Sequence, residues 1–325
     1  MKLWEPYKPA PLLRGAFLQT FLASSKIRLL GRNHLDKTSE EMIITAGDGT
    51  RLLGLYSRHE GKKSKGLVIL LHGWEGSATS TYIQSTGRRF FNSGYSVFRL
   101  NMRDHGESHH LNKGMFYSTL LDEVFDAVSF ISSMEKEGPV FFVGFSLGGN
   151  FGMRIARKCS EKPVDNLKHI VCISPVLDPN KATIKIDDHF LIKKYFLRKW
   201  RRSLKKKQAL YPDIYDFSDL FPINTIMGLT DLLLKRYSEY SNIQEYFKGY
   251  TLINDAVKNI SVPTTMIISK DDPIIPIEDF HSLKTNSLTN LLIHEYGGHN
   301  GFIEGYLLRS WYERYMVRLF GQYQA

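Results

Sequence analysis

Three short segments of this chain carry side chains that together could break an acyl bond. The first is GFSLG, residues 144–148, where Ser146 sits in a G-x-S-x-G pattern directly after the apolar run Val140–Val143. A serine at a sharp strand-to-helix turn is held with its oxygen exposed, and small neighbours let the backbones touch. A hydroxyl is a weak nucleophile, so it needs a base, and the base needs an orienting acid. On a parallel sheet these belong later in the chain, in the order serine, acid, histidine. KDDPIIP, residues 270–276, offers Asp271 and Asp272, and GGHNGF, residues 297–302, offers His299. Each follows an apolar run that reads as a strand, which places it at the strand ends where open α/β sheets bind ligands. Asp272, four residues before Pro276, is the preferred acid, with Asp271 expected to cap the turn.

The tetrahedral oxyanion of such a reaction needs two N–H donors. Leu147, the residue after the serine, supplies one, and its helix N-terminus favours negative charge. The loop His72-Gly73-Trp74-Glu75-Gly76 follows another buried run, and the Trp74 N–H is the expected second donor. His72 is expected to bond loop backbone. Arg103 and Asp104 are expected to tie the sheet edge together. His105, His109 and His110 are expected to be solvated rather than a metal set. The chemistry calls for no metal and no cofactor.

These segments need a frame. EMIITA and RLLGLYSR flank Gly47-Asp48-Gly49 and alternate, as a hairpin at a sheet edge does. GLVILLHG is apolar throughout, the mark of a strand buried on both faces. Helices are expected at 80–93, 118–136 and 147–158, with strands YSVFRLNM, PVFFVGF and HIVCISPV between and after them. The alternation breaks at 178–256, which is helical, aromatic and charged, then resumes with PTTMIIS, a helix near 277–285, NLLIHEY and a helix over 301–320. The pattern predicts an α/β core, a mostly parallel sheet flanked by helices, over 1–177 and 257–325. Residues 1–40 form an N-terminal extension with a short amphipathic piece near 16–30, and 178–256 form a helical cap insertion.

The 325 residues, 42% hydrophobic, suffice for one large core. No apolar run is long enough to span a bilayer, and the proline-rich start does not read as a secretory signal. Two cysteines, Cys159 and Cys172, fit a reducing, cytoplasmic setting. A net charge of +10 favours anionic partners, but no nucleic-acid motif accompanies it.

The motifs together resemble the α/β-hydrolase superfamily and, within it, the YheT-like branch of esterases. RGAFLQTFLAS, LLHGWEGSATSTYI, GFSLGGN, DDPIIP, GGHNGF and, in the insertion, YFLRKWRRSLKKK and YSNIQEYFKGYT carry the resemblance, whereas NMRDHGES follows the general superfamily loop. The resemblance implies the α/β-hydrolase fold and a serine hydrolase acting on carboxylic esters, some relatives taking medium-chain acyl esters or phospholipids. A small acyl ester is then the partner to expect. Transfer of the acyl group to an alcohol, and silent binding of a lipid, are the alternatives.

In 193–207, nine of fifteen residues are Lys or Arg. Ile192, Phe196, Trp200 and Leu204, spaced by four, share one helix face. Two readings stay open. The apolar face roofs the site while the lysines are solvated, or the basic helix rests on an anionic membrane surface. The acids Asp213, Asp216 and Asp219 could also pair with the run.

Overall fold

The computed structural model describes residues 6–31, 34–59 and 63–324. Eight strands form one sheet: β1 (Ser39–Thr45), β2 (Arg51–Ser57), β3 (Leu67–Leu71), β4 (Ser96–Leu100), β5 (Val140–Phe145), β6 (Leu167–Ile173), β7 (Thr264–Ser269) and β8 (Thr289–His294). Their order is β1-β2-β4-β3-β5-β6-β7-β8. β2 runs against both of its neighbours, β1, to which a tight hairpin joins it, and β4, and every other pairing is parallel.

The helices are α1 (Ala16–Ala23), α2 (His34–Lys37), α3 (Thr81–Asn92), α4 (Leu121–Met134), α5 (Leu147–Lys158), α6 (Pro179–Asp188), α7 (Phe190–Leu210), α8 (Ile226–Tyr237), α9 (Ile243–Lys248), α10 (Glu278–His281) and α11 (Trp311–Gly321). Side chains alternate across each strand, so two apolar layers form. Leu67, Ile69 and Leu71 join α4 and α5 on one face, and Val68 and Leu70 join α3 and α11 on the other. This explains why β3 and β5 read as unbroken apolar runs: both of their faces are covered. The helices α6 to α9 lie between β6 and β7 in the chain, and α8 is capped by Thr225.

The C-terminal helix differs from expectation. It begins at Trp311 rather than near 301. Residues 300–310 instead fold back, with an isolated bridge between Ile303 and Ser310 and left-handed backbone at Asn300, Phe302 and Leu308. Their polar groups are held by distant partners: Gln19 accepts from Ile303 N and donates to Ile303 O, and Arg28 Nε donates to Leu308 O. A periodicity argument cannot anticipate such tertiary hydrogen bonds.

The N-terminal segment also differs. An amphipathic helix should turn its polar side to solvent. In α1 the polar Gln19 is fully buried while Phe17, Leu18 and Phe21 are exposed. Gln19 Nε2 donates to Leu13 O and Ile303 O, and its Oε1 accepts from Ile303 N. The helix is bolted down through its amide, and its phenyl rings face outward.

Candidate active site

Ser146 lies between β5 and α5 with φ 54° and ψ −115°. This is strained, sparsely occupied backbone for a residue with a Cβ. A bond across to the residue ending β6 and the first turn of α5 hold it: Ser146 N donates to Ile173 O at 2.8 Å, and Asn150 N donates to Ser146 O at 3.0 Å. The flanking glycines are required by contact. A Cβ at 144 would stand 2.1 Å from Gly148 O, and one at 148 would stand 2.5 Å from both His72 O and Leu71 O. Leu147 opens α5, so its N–H has no carbonyl one turn back to bind.

His299 occupies the loop after β8. Its Nδ1 lies 2.9 Å from Asp272 Oδ2 and 3.2 Å from Oδ1, with both side chains buried. Asp272 Oδ1 also accepts from the N–H groups of Ile274 and Ile275 at 2.8 and 2.9 Å, which fixes the carboxyl against the ring. Asp271 does something else: its Oδ1 accepts from Gly298 N at 2.9 Å, and burial raises its carboxyl above the usual range. The loop is pinned on three further sides. His299 N donates to Thr20 Oγ1 at 2.9 Å, Asn300 N to Ser174 Oγ at 3.2 Å, and Ser269 Oγ to Gly298 O at 2.9 Å. Ser174 directly follows Ile173, the residue that holds Ser146 N, so one stretch of backbone sets both the serine and the histidine loop.

The third wall is the loop after β3. His72 Nδ1 donates to Gly73 O at 2.8 Å and its Nε2 accepts from Met102 N at 3.2 Å. Burial drops the ring to about 4, so it is neutral and structural. Tyr82 Oη accepts from Gly73 N at 3.1 Å. The Trp74 indole stacks on Phe196 at 5.3 Å and meets Trp200 edge-on at 5.0 Å. Next to it Glu75 is pushed up to about 8 by burial, partly offset by Lys199. Ser146, Leu147 and Trp74 line a pocket of about 1120 Å³, its mouth included. Its walls are mainly apolar side chains of α6 to α9, among them Ile186, Phe196, Trp200, Leu204 and Leu233. Of the four residues spaced along α7, Ile192 is buried and does not line it.

Two expectations are corrected. Lys207 is not solvated; it is 2% exposed, and its Nζ donates to Asp104 Oδ1 at 2.8 Å and to the carbonyls of Asn112 and Gly114. Lys206 pairs at the surface with Glu107, and Lys205 is exposed, over the Phe221 ring. The 104–116 loop therefore takes up charges of α7, and the insertion's acids do not. Asp219 pairs with Arg236, and Asp216 accepts from Ser218. Second, His105 and His109 are buried. His105 Nδ1 donates to Arg103 O, and His109 Nε2 lies 2.8 Å from Ser203 Oγ. The same docking of α7 covers them. Arg103 does tie the sheet edge, reaching Glu123 and Thr50.

Asp104 and Lys207 form a buried ion pair, and burial raises Asp104 to about 6 despite its partner. Desolvation opposes such pairs, yet stranding one charge is worse. Lys207→Gln is expected to lower stability by about 3–5 kcal/mol. Adding Asp104→Asn should restore part of this. Urea unfolding of the single and double variants checks it; equal midpoints for wild type and Lys207→Gln would show that the pair does not hold α7 down.

Sequence reasoning missed three supports of the histidine loop, Gln19, Thr20 and Ser174, and expected Asp271 to cap a turn where it accepts from Gly298 N instead. The QT in RGAFLQTFLAS was the one available signal: two polar residues inside an apolar helix.

A strained serine at the turn after the fifth strand of a mostly parallel sheet, with a buried acid–histidine pair beyond the seventh and eighth, defines an α/β-hydrolase. Residues 62–298 match the family model described as Serine aminopeptidase, S33, and the chain belongs to that family. It is 26% identical over 260 residues to the Escherichia coli (strain K12) protein named "Putative esterase YheT", covering 76% of this chain and 74% of that one. It is 25% identical over 213 residues to monoacylglycerol lipase ABHD2 of Danio rerio, covering 58% and 49%. With phospholipase ABHD3 of Bos taurus it shares 23% over 296 residues, covering 87% and 70%. An esterase of Pyrococcus furiosus superposes with a TM-score of 0.58 at 18% identity over 91% of this chain and 96% of that one. The α/β-hydrolase GrgF of Penicillium sp. sh18 does so with 0.59 at 16%, over 88% and 99%. At these identities the structural likeness speaks for the fold.

Proposed function

We propose that the protein is a serine esterase that cleaves acyl or lipid-like carboxylic esters through an acyl-enzyme. The observation that carries the reading is the Asp272–His299 contact of 2.9 Å, in a loop tied through Ser174 to the backbone that holds the strained Ser146, which lines a largely apolar pocket. Ser146 Oγ attacks the ester carbonyl as His299 Nε2 takes its proton. Asp272, on Nδ1, holds the ring in the tautomer that leaves Nε2 free to accept and then stabilises the imidazolium. The N–H groups of Leu147 and Trp74 bind the oxyanion. The tetrahedral intermediate collapses, and His299 returns the proton to the leaving alcohol. Water, deprotonated by His299, then attacks the acyl-serine and frees the acid. The reaction needs only these side chains and water.

Residues 178–256 act as a cap whose apolar side chains receive the acyl chain, since α6 to α9 supply most of the pocket wall. The names of the relatives, esterase, monoacylglycerol lipase and phospholipase, support an acyl ester as the substrate class. A fluorophosphonate should label the protein on Ser146, mapped by peptide mass, and esters of increasing acyl length should lower KM until the pocket is full. Labelling elsewhere, or none, would remove the reading.

A further inference from the structure

We propose that the outward face of α1 and the first turn of α7 form a docking surface for an anionic lipid bilayer. The starting observation is the inverted helix. Gln19 and Ala23 face the protein, and Phe17, Leu18 and Phe21 face out, each more than 40% exposed. Scattered exposed apolar residues are ordinary; a contiguous patch marks an interaction site.

The patch extends in three directions. Along the chain it takes in Leu12, Ile27 and Leu30, which are 75%, 62% and 77% exposed. Across from α1, the Phe17 ring meets the His189 ring edge-on at 5.4 Å. That contact brings up Phe190 and Leu191, 69% and 60% exposed. On the third side the Arg28–Leu308 hydrogen bond sets Tyr306 and Leu307, the latter 79% exposed, beside the same segment.

Charge selects the occupant. From Pro6 to Gly31 there is no acidic residue, and none from His189 to Pro212. Lys8, Arg14, Lys26, Lys194 and Arg198 are exposed around the apolar face. A second copy of the chain would bring net +10 against net +10. Phenyl and leucyl side chains on segments that expose these five cations, with Asp188 the acid adjoining them, match the interface of a bilayer with anionic headgroups. The contact lies in the plane of the surface, since α1 has eight residues and no helix of the described residues is long and apolar enough to cross a membrane.

The location gives the contact a use, which rests on the esterase reading. Thr20 of α1 holds His299 N, and α7 continues from Leu191 to Phe196 and Trp200 in the pocket wall. The surface therefore adjoins both the histidine loop and the α7 wall of the pocket, so a lipid ester would reach Ser146 with little of its chain exposed to water.

The test is co-sedimentation with vesicles of phosphatidylcholine plus phosphatidylglycerol, and with phosphatidylcholine alone. Wild type and Ser146→Ala should bind the anionic vesicles equally, which separates this surface from the chemistry. Salt should weaken the binding without abolishing it, because the apolar part is not screened. The triple variant Phe21→Ser, Phe190→Ser, Leu191→Ser should lose on the order of tenfold or more of its affinity. As a second measurement, an environment-sensitive dye goes on Leu191→Cys, with Glu161→Cys at the far end of α5 as control. The native Cys159 and Cys172 are buried. The dye at 191 should shift to the blue on anionic vesicles and the dye at 161 should not. No binding by wild type, equal binding by the triple variant, or equal shifts at both dye positions overturns the proposal. Binding of a protein in place of vesicles does so too.

Discussion

Ser146→Ala should leave the fold standing and lower ester turnover by roughly 10³-fold or more, toward the ~10⁶-fold seen when a serine nucleophile is deleted. Alanine keeps the Cβ at the same strained φ of 54°, and the bonds that hold the turn run through backbone N and O. The melting temperature should therefore stay close to that of the wild type. What disappears is the only oxygen at the elbow that can form the acyl-enzyme. Fluorophosphonate labelling should vanish with the activity. A purified variant that keeps most of its turnover would remove Ser146 from the mechanism, whatever its geometry.

Asp272→Asn should be nearly as damaging, and Asp271→Asn mild. In Asp272→Asn the amide group facing Nδ1 can stabilise the wrong ring tautomer and cannot balance an imidazolium, which lowers kcat by about 10⁴-fold in a comparable triad. Asp271 Oδ1 accepts from the N–H of Gly298 rather than facing the His299 ring, and asparagine still offers an oxygen to that donor. Its turnover should stay within a few-fold of wild type, with some loss of stability. Steady-state kinetics on one short soluble ester compares the two. A larger loss in Asp271→Asn would move the acid by one residue and require the loop to rearrange on substrate binding.

Much of the frame was legible because its causes are local. The runs of β3 and β5 are apolar throughout since both faces are covered, and the G-x-S-x-G segment announces a turn that only small residues allow. The start of α5 at Leu147 follows from the same motif. The choice of Asp272 came from its spacing to Pro276, and the structure places its carboxyl on the His299 ring.

Other features depended on groups far apart in the chain. The helix expected from 301 begins ten residues later because Gln19 and Arg28, more than 270 residues away, satisfy the backbone of the loop. Lys207 reads as one cation in a basic run. It is buried because Asp104 and two carbonyls of the 104–116 loop converge on its ammonium, which no spacing rule shows. The outward phenylalanines of α1 are the same kind of case. Composition suggests that they are inside, but the polar needs of the histidine loop turn Gln19 and Thr20 inward and leave the rings exposed. The sequence by itself determined the strands, the elbow and the order of the chemical groups, since these follow from side-chain period and backbone sterics. Only the tertiary structure decided which buried polar atoms find partners, because that depends on where distant segments bring their donors and acceptors.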